Sequence, residues 1–269
     1  MPAETKPVTV RTLLDMKRAG KKIVSLTAYD ALFAELLDQA GVDVVLVGDS
    51  VNTVLGGQET TLSATLEQMI YHGRLVRAGV RRALLVIDMP FLSYQVSIED
   101  AKRNCGRVMQ VTGANAVKLE GGAAMLPTIR ALVEIGIPVM GHLGLTPQSV
   151  HALGGYRVQG RDAAAADRIV ADAKALEEAG VFSMVLELMP ASLAQRISQS
   201  LAVPTIGIGA GSGCDGQVLV LHDMLGLNEH LDAKFVKRYA QMADQVREAV
   251  RTFGEEVRGG RYPDSAHSF

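Results

Sequence analysis

Short apolar runs recur along the chain, and each leads through a polar or glycine-rich turn into a stretch with helical spacing. Runs of this kind, rich in Val, Ile and Leu, are typical of buried parallel strands. We predict eight strands, at residues 23–29, 42–49, 83–88, 114–120, 138–142, 182–187, 205–209 and 218–222. Eight strand–helix units favour a (β/α)8 TIM barrel over an open doubly wound sheet.

The helical stretches have similar ends, because a glycine follows five of them directly before the next strand: Gly41, Gly79, Gly113, Gly136 and Gly180. Glycine is the usual residue just after a helix. Residues 9–20 form one more helix, capped by Thr9, which we expect to close the barrel bottom. We also expect a shortened helix after the seventh strand and a long amphipathic stretch at 234–257. No linker interrupts these units, so residues 1–269 are predicted to form one domain.

Composition limits the partners that the chain can have. The 269 residues are 48% hydrophobic, and the formal net charge is −2 with no block of either sign, so a nucleic acid is not expected as a partner. Neither a signal peptide nor a membrane helix is indicated, and we expect a cytoplasmic protein. Cys105 and Cys214 lie far apart, which argues against a disulfide scaffold or a thiolate metal site.

Acidic side chains stand at the ends of three consecutive predicted strands: Asp49, Asp88 and Glu120. Strand ends of a barrel share one mouth, so these carboxylates are expected to meet, and an oxygen-only set suits Mg²⁺. By period-2 counting, Asp49 continues the row of Val45 and Val47 on one face of its strand. Any single acid could instead cap the following helix, as we expect of Asp30.

Three further groups stand at strand ends. Lys118, two residues before Glu120, would point into the mouth and stabilise negative charge, although a lysine reaching out to solvent is an alternative. Glu187 lies among apolar side chains, which favour a carboxylate that acts as a base, although a structural ion pair competes. His142 is a weaker candidate. Residues 143–160 are long for such a loop and are a candidate lid.

The chain closely resembles the ketopantoate hydroxymethyltransferase family. The resemblance runs in order from about residue 8 to residue 257 and rests on these motifs: VGDS (47–50), TLEQMIYH (65–72), DMPF (88–91), AVKLEGG (116–122), GHLGLTPQS (141–149), GGYRVQGR (154–161) and GIGAGSGCDGQVLV (207–220).

The resemblance implies a (β/α)8 barrel that transfers a hydroxymethyl group from 5,10-methylenetetrahydrofolate to 3-methyl-2-oxobutanoate. The product is ketopantoate, in the pantothenate pathway. It implies Mg²⁺ ligation by Asp49, Asp88 and Glu120, keto-acid contacts from Asp49, Ser50, Asp88 and Lys118, and Glu187 as the proton acceptor. It also implies a homo-oligomer, commonly a decamer. Leu92 departs from the pattern, since a glycine is expected after DMPF, and residues 51–65 look less typical than their flanks.

Two other functions stay open on the residues alone. One is a Mg²⁺-dependent lyase or mutase of the phosphoenolpyruvate and isocitrate lyase kind, which typically carries a catalytic cysteine in a mobile loop. Neither Cys105, within a predicted helix, nor Cys214 is well placed for that role. The other is a non-catalytic barrel that only binds a keto acid, for which Glu187 or Lys118 should be replaced.

Overall fold

The computed structural model describes residues 6–269. Its strands form one closed parallel barrel in chain order, with β8 pairing back onto β1. The eight strands are β1 Ile23–Thr27, β2 Val44–Val47, β3 Leu84–Asp88, β4 Ala116–Lys118, β5 Val139–Gly144, β6 Ser183–Glu187, β7 Thr205–Ile208 and β8 Gly216–Leu219. The predicted (β/α)8 barrel is confirmed.

Helices fill the intervals between most strands, and short 3-10 turns precede α6, follow β5 and lie near the C-terminus. The helices are α1 Val10–Arg18, α2 Ala31–Gln39, α3 Val51–Val54, α4 Leu66–Gly79, α5 Ile98–Thr112, α6 Leu126–Glu134, α7 Ala163–Glu178, α8 Ala191–Ser200, α9 Leu221–Met224 and α10 Met242–Arg258. In the part of the chain that the structure describes, no helix has the length and apolar character needed to cross a membrane.

The first helix closes the barrel bottom, as predicted. Thr9 caps it by accepting a hydrogen bond from the backbone N–H of Thr12. Leu13 and Met16 belong to the same buried cluster as inward-facing residues at the start of the strands, such as Val44 and Leu84. Burial of two large apolar side chains contributes roughly 4 kcal/mol, so α1 is an integral part of the core.

The glycines at helix ends serve two purposes. Gly41, Gly113, Gly136 and Gly180 have positive φ and end their helices as expected. Gly79 is different, since it is the last residue of α4, and a Cβ there would lie 2.3 Å from the carbonyl oxygen of Ala31 at the start of α2. Gly79 therefore allows two helices to pack closely.

The structure corrects the predictions for the last third of the chain. No helix forms between β7 and β8, because Gly209 and Gly211 adopt positive φ in a tight turn. Strand β8 is Gly216–Leu219, earlier than residues 218–222, and His222 lies in α9.

The amphipathic pattern at 234–257 becomes helical only from Met242. The N–H groups of Tyr239 and Met242 instead bond the carbonyls of Met224 and Leu225. By backbone contacts the chain divides into two compact units, one ending at Val220 and the other comprising Leu221–Phe269. The first contains the whole barrel, and the second contains α9 and α10.

Candidate active site

On four neighbouring strands, an inward row of apolar side chains ends in a polar group at the mouth. In β3, Leu84 and Val86 belong to the buried core, and strand alternation gives Asp88 the same inward direction. The same counting applies to the next three strands. The inward row ends in Lys118 and Glu120 at β4, in His142 on β5 and in Glu187 on β6.

Asp49 reaches the mouth by a different route. The core residues of β2 are Val44 and Leu46, so Gly48, rather than Asp49, continues the inward row. The strand ends at Val47, and alternation no longer sets the direction of the residues that follow. Period-2 counting therefore does not give the direction of Asp49, although its side chain is buried among the other mouth acids.

Lys118 and Asp88 form a buried ion pair at the mouth. The two residues are direct partners in the β3–β4 register, and Lys118 Nζ lies 2.7 Å from Asp88 Oδ1. Asp88 Oδ2 accepts a hydrogen bond of 3.1 Å from the backbone N–H of Asp49. Lys118 is 5% exposed and does not reach out to solvent. Burial lowers the pKa of Lys118, but Asp88, Glu120 and Asp49 outweigh it and raise the pKa overall.

Asp49 is the most perturbed acid of the group. Burial, together with the charges of Asp88 and Glu120, raises the pKa of Asp49 to about 8, against opposing contributions from Lys118 and Gln148. One lysine therefore does not neutralise the carboxylates around it. A further cation at this position would relieve that repulsion.

His142 stands between two carboxylates. Its Nδ1 lies 3.3 Å from Glu120 Oε1, and its Nε2 lies 3.2 Å from Glu187 Oε2, though neither contact has hydrogen-bond geometry. Burial and Lys118 lower the pKa of His142, but the two glutamates overcome this and raise the pKa to about 9. Burial likewise opposes ionisation of Glu120, yet His142 and Lys118 lower its pKa overall. His142 thus lies between the acid that follows β4 and the acid at the end of β6.

Ser50 lies at the edge of this group, half-buried at the start of α3. Its Oγ is 2.8 Å from the hydroxyl of Tyr29, which is itself 1% exposed. Glu187 is also only partly buried, with 16% of its side chain exposed. The structure therefore brings Asp49, Asp88, Lys118, Glu120 and His142 together in the interior, with Ser50 and Glu187 nearer to solvent.

The loop after β5 is tied to the end of β6. The N–H of Leu145 donates to the carbonyl of Glu187, and the N–H of Gln159 donates to the carbonyl of Leu188, both at 2.9 Å. Leu188 has φ of 48°, an uncommon value for a residue with a side chain. Each end of the loop is thus hydrogen-bonded to one of two consecutive carbonyls, those of Glu187 and Leu188.

Sequence reasoning assigned no role to Gln148 or Tyr94, which are buried beside these acids. Gln148 lies within the quoted motif GHLGLTPQS, but a glutamine in a loop has no periodic signal. Tyr94 follows β3 by several residues, where its direction cannot be counted from the strand. Their contacts with Asp49 and Glu120 require the folded chain.

Neither cysteine is placed for catalysis. Cys105 lies within α5, and burial raises the pKa of its thiol to about 12. Cys214 is fully buried, and its pKa is also raised by burial. Among residues 6–269, no three His, Cys, Asp or Glu side chains are spaced as the ligands of a metal ion are.

Solved structures with a similar fold include a phosphonopyruvate hydrolase (TM-score 0.64, 13% identity, 97% of this chain and 91% of the other). A second is 2,3-dimethylmalate lyase, a member of the PEP mutase/isocitrate lyase superfamily (TM-score 0.60, 18% identity, 97% and 92% coverage). At such identities the likeness concerns the fold alone.

Sequence relatives are much closer. The protein from Syntrophus aciditrophicus named 3-methyl-2-oxobutanoate hydroxymethyltransferase is 55% identical over 97% of this chain and 96% of its own length. The protein of the same name from Pelobacter propionicus is 56% identical, with 98% of both chains covered. The profile described as ketopantoate hydroxymethyltransferase matches residues 7–265. The chain belongs to the ketopantoate hydroxymethyltransferase family and is a hydroxymethyl-transferring enzyme.

Proposed function

We propose that this enzyme transfers a hydroxymethyl group from 5,10-methylenetetrahydrofolate to 3-methyl-2-oxobutanoate and forms ketopantoate, a step of pantothenate biosynthesis. The names of the relatives supply the keto acid. The main structural support is the arrangement of the mouth, where buried carboxylates around Lys118 stand across His142 from a separate, more exposed Glu187. We expect the enzyme to act in the cytoplasm as a homo-oligomer, a decamer in the family pattern.

A divalent cation, Mg²⁺ by our proposal, is held by Asp49, Asp88 and Glu120. The donor set consists of oxygens only, and the pKa of Asp49 is raised first by burial and then by the charges of Asp88 and Glu120. The side chains are not spaced as a complete ligand set. Mg²⁺ commonly completes its shell with water and substrate oxygens. When bound, the cation supplies positive charge that stabilises an enolate oxygen.

The side chains divide the chemistry between two walls of the mouth. Lys118, with Ser50, binds the carboxylate of the keto acid and orients it. Glu187 removes the proton from C3 of the keto acid, and C3 then forms a bond to the one-carbon unit carried by the folate. One water supplies the hydroxyl oxygen as both carbon–nitrogen bonds to that unit break, and the C3 proton and one water proton leave on the two nitrogens of tetrahydrofolate. His142 orients Glu187 from the 3.2 Å contact. Since Glu187 is partly exposed, its proton can exchange with solvent when the mouth is open.

Proton exchange at C3 tests the proposal directly. The protein is mixed with 3-methyl-2-oxobutanoate and Mg²⁺ in deuterium oxide, and loss of the C3 proton signal is followed by NMR. We expect Glu187→Gln to abolish exchange while keto-acid binding is retained, because the neutral amide cannot accept the proton. Glu134→Gln, an exposed change at the end of α6, is the matched control and should exchange like the wild type.

Two results would contradict this proposal. Absence of exchange in the wild type with Mg²⁺, Mn²⁺ or Co²⁺ would exclude enolisation by this site. Exchange that survives in Glu187→Gln would assign the base to another group.

A further inference from the structure

The side-chain amide of Gln148 is saturated with hydrogen bonds although it is buried. Its Nε2 donates to Asp49 Oδ2 at 3.0 Å and to the carbonyl of Met89 at 2.9 Å. Its Oε1 accepts from the hydroxyl of Tyr94 at 2.9 Å and from Nε2 of Gln95 at 3.2 Å. Both N–H groups of the amide have an acceptor, and its oxygen accepts from two donors. Turning the amide over would break all four hydrogen bonds, so only one orientation is satisfactory.

The same residue also holds a second acid through its backbone. The N–H of Gln148 donates to Glu120 Oε2 at 3.0 Å. The hydroxyl of Tyr94 accepts from the backbone N–H of Glu120 at 3.1 Å, so main chain and side chain of Glu120 are both anchored. The other oxygen, Glu120 Oε1, is buried without a hydrogen-bond partner among the described residues.

We propose that Gln148 is a positioning residue that sets the affinity of the enzyme for its divalent cation. It binds one oxygen of Asp49 and one oxygen of Glu120, and it fixes the rotation of both carboxylates before the cation arrives. The inference rests on the proposed function, because it assumes that these acids bind the cation.

Two physical arguments support a neutral amide at this place. A carboxylate that rotates freely must lose that freedom when it binds a cation, and prior anchoring removes part of this cost. A cationic donor would also anchor the acids, but it would compete with the metal for their charge. Partners that hydrogen-bond the ligands of a metal typically change metal affinity or activity by about 10–100-fold when they are lost.

The test uses Mn²⁺ alone as the probe. Free Mn²⁺ is measured by electron paramagnetic resonance during titration of the wild type, Gln148→Met and Gln159→Met. Met keeps the length of glutamine and removes its amide. Gln159→Met is the matched control, because Gln159 lies on the same loop and its side chain donates only to the carbonyl of Arg157. We expect binding to weaken about 10–100-fold in Gln148→Met and to stay unchanged in Gln159→Met.

Activity should change in Gln148→Met and stay unchanged in Gln159→Met, as Mn²⁺ binding should. In Gln148→Met, the Mg²⁺ concentration for half-maximal C3 exchange should rise with the dissociation constant, and saturating Mg²⁺ should restore most of kcat. Gln95→Met removes one of the two donors that orient the amide without touching either acid, and it should weaken Mn²⁺ binding by a smaller factor. It also carries the test if Gln148→Met does not fold.

The outcomes separate the two proposals. If the wild type binds Mn²⁺ and Gln148→Met binds it equally well, with or without a lower Tm, the positioning role is excluded and the cation site stands. If the wild type binds no Mn²⁺, or if Asp49→Asn leaves binding unchanged, the proposed cation site fails and the inference fails with it.

Discussion

Charged side chains are fully hydrogen-bonded at one end of the barrel and incompletely hydrogen-bonded at the other. At the bottom, Lys17 of α1 donates to the carbonyls of Ser198 and Val203 and to Asp215, all within 2.9 Å, so its three protons are used. At the mouth, four carboxyl groups face one lysine and one histidine, and Glu120 Oε1 and both His142 nitrogens have no hydrogen bond to any residue from 6 to 269.

This difference indicates that the charges at the bottom serve stability and the charges at the mouth serve function. Asp43, also at the bottom, accepts from the N–H of Val24 and from Arg82, so this end is balanced without any ligand. By the proposed function, a cation and a substrate complete the mouth. Barrels of this class commonly place stabilising residues at the N-terminal ends of strands and catalytic residues at the C-terminal ends. Removing a charge should therefore have opposite consequences at the two ends.

The largest effect is expected at Lys118. Lys118→Met removes the cation that pairs with Asp88 and should lower the rate of C3 exchange by about 1,000-fold, since charge stabilisation in a dry site is a large contribution to catalysis. The rate is measured by NMR at saturating Mg²⁺. A rate within about 10-fold of the wild type would show that Lys118 is a structural partner only.

The same substitution at the bottom should affect stability instead. Lys17→Met leaves Asp215 and two carbonyls without their donor and should lower the free energy of unfolding by about 3 kcal/mol. Urea denaturation measures this loss, and the exchange rate per folded molecule should be unchanged. Loss of activity in the folded variant would mean that the two ends are coupled.

Asp49→Asn should stabilise the metal-free protein. An acid whose pKa is raised on folding costs stability progressively as the pH rises from its ordinary value of 3.8 to its folded value of about 8. Asparagine avoids that cost, so the gain in stability should grow with pH up to about pH 8 and should vanish below about pH 4.

Urea denaturation with a chelator at pH 4, 6 and 8 measures this difference. Asp43→Asn is the matched variant at the bottom and should destabilise at neutral pH, because Arg82 loses its partner. A gain for Asp49→Asn that does not change with pH would refute the electrostatic explanation.

The smallest effect is expected at Leu92, which follows the mouth acid Asp88 in the loop after β3. Leu92 has φ of 63°, which explains why a glycine is expected there. Leu92→Gly should raise the free energy of unfolding by about 1 kcal/mol by removing backbone strain. Leu55→Gly is the control, since Leu55 is also exposed but has φ of −100°, and it should destabilise. Thermal unfolding measures both changes.

Much of the mouth was predictable because it repeats with the strands. Asp88, Lys118, His142 and Glu187 each end an inward row, and alternation gives their direction once the strand is recognised. Asp49 lies beyond the last paired residue of its strand, where counting fails. The contacts of Gln148 span about a hundred residues of sequence and depend on how a loop without periodicity folds.

The segments after β7 were harder to predict, because their structure also depends on features that a local pattern does not contain. A helix after β7 was expected from the repeat, but two glycines with positive φ stop it. The start of α10 was set too early because residues 234–241 share its amphipathic pattern. The N–H of Tyr239 bonds the carbonyl of Met224, and the N–H of Met242 bonds the carbonyl of Leu225, which a local pattern cannot reveal.

Residues 145–159 form a loop whose two ends are each held by a hydrogen bond, one to the carbonyl of Glu187 and one to the carbonyl of Leu188. Both hydrogen bonds join backbone groups, but the first end also needs Gly144, because a Cβ there would lie 2.1 Å from the carbonyl oxygen of Glu187. By the positioning role proposed for Gln148, a replacement loop must retain that residue. Exchange of this segment for one that keeps Gly144 and Gln148 should therefore leave the acids of the barrel in place.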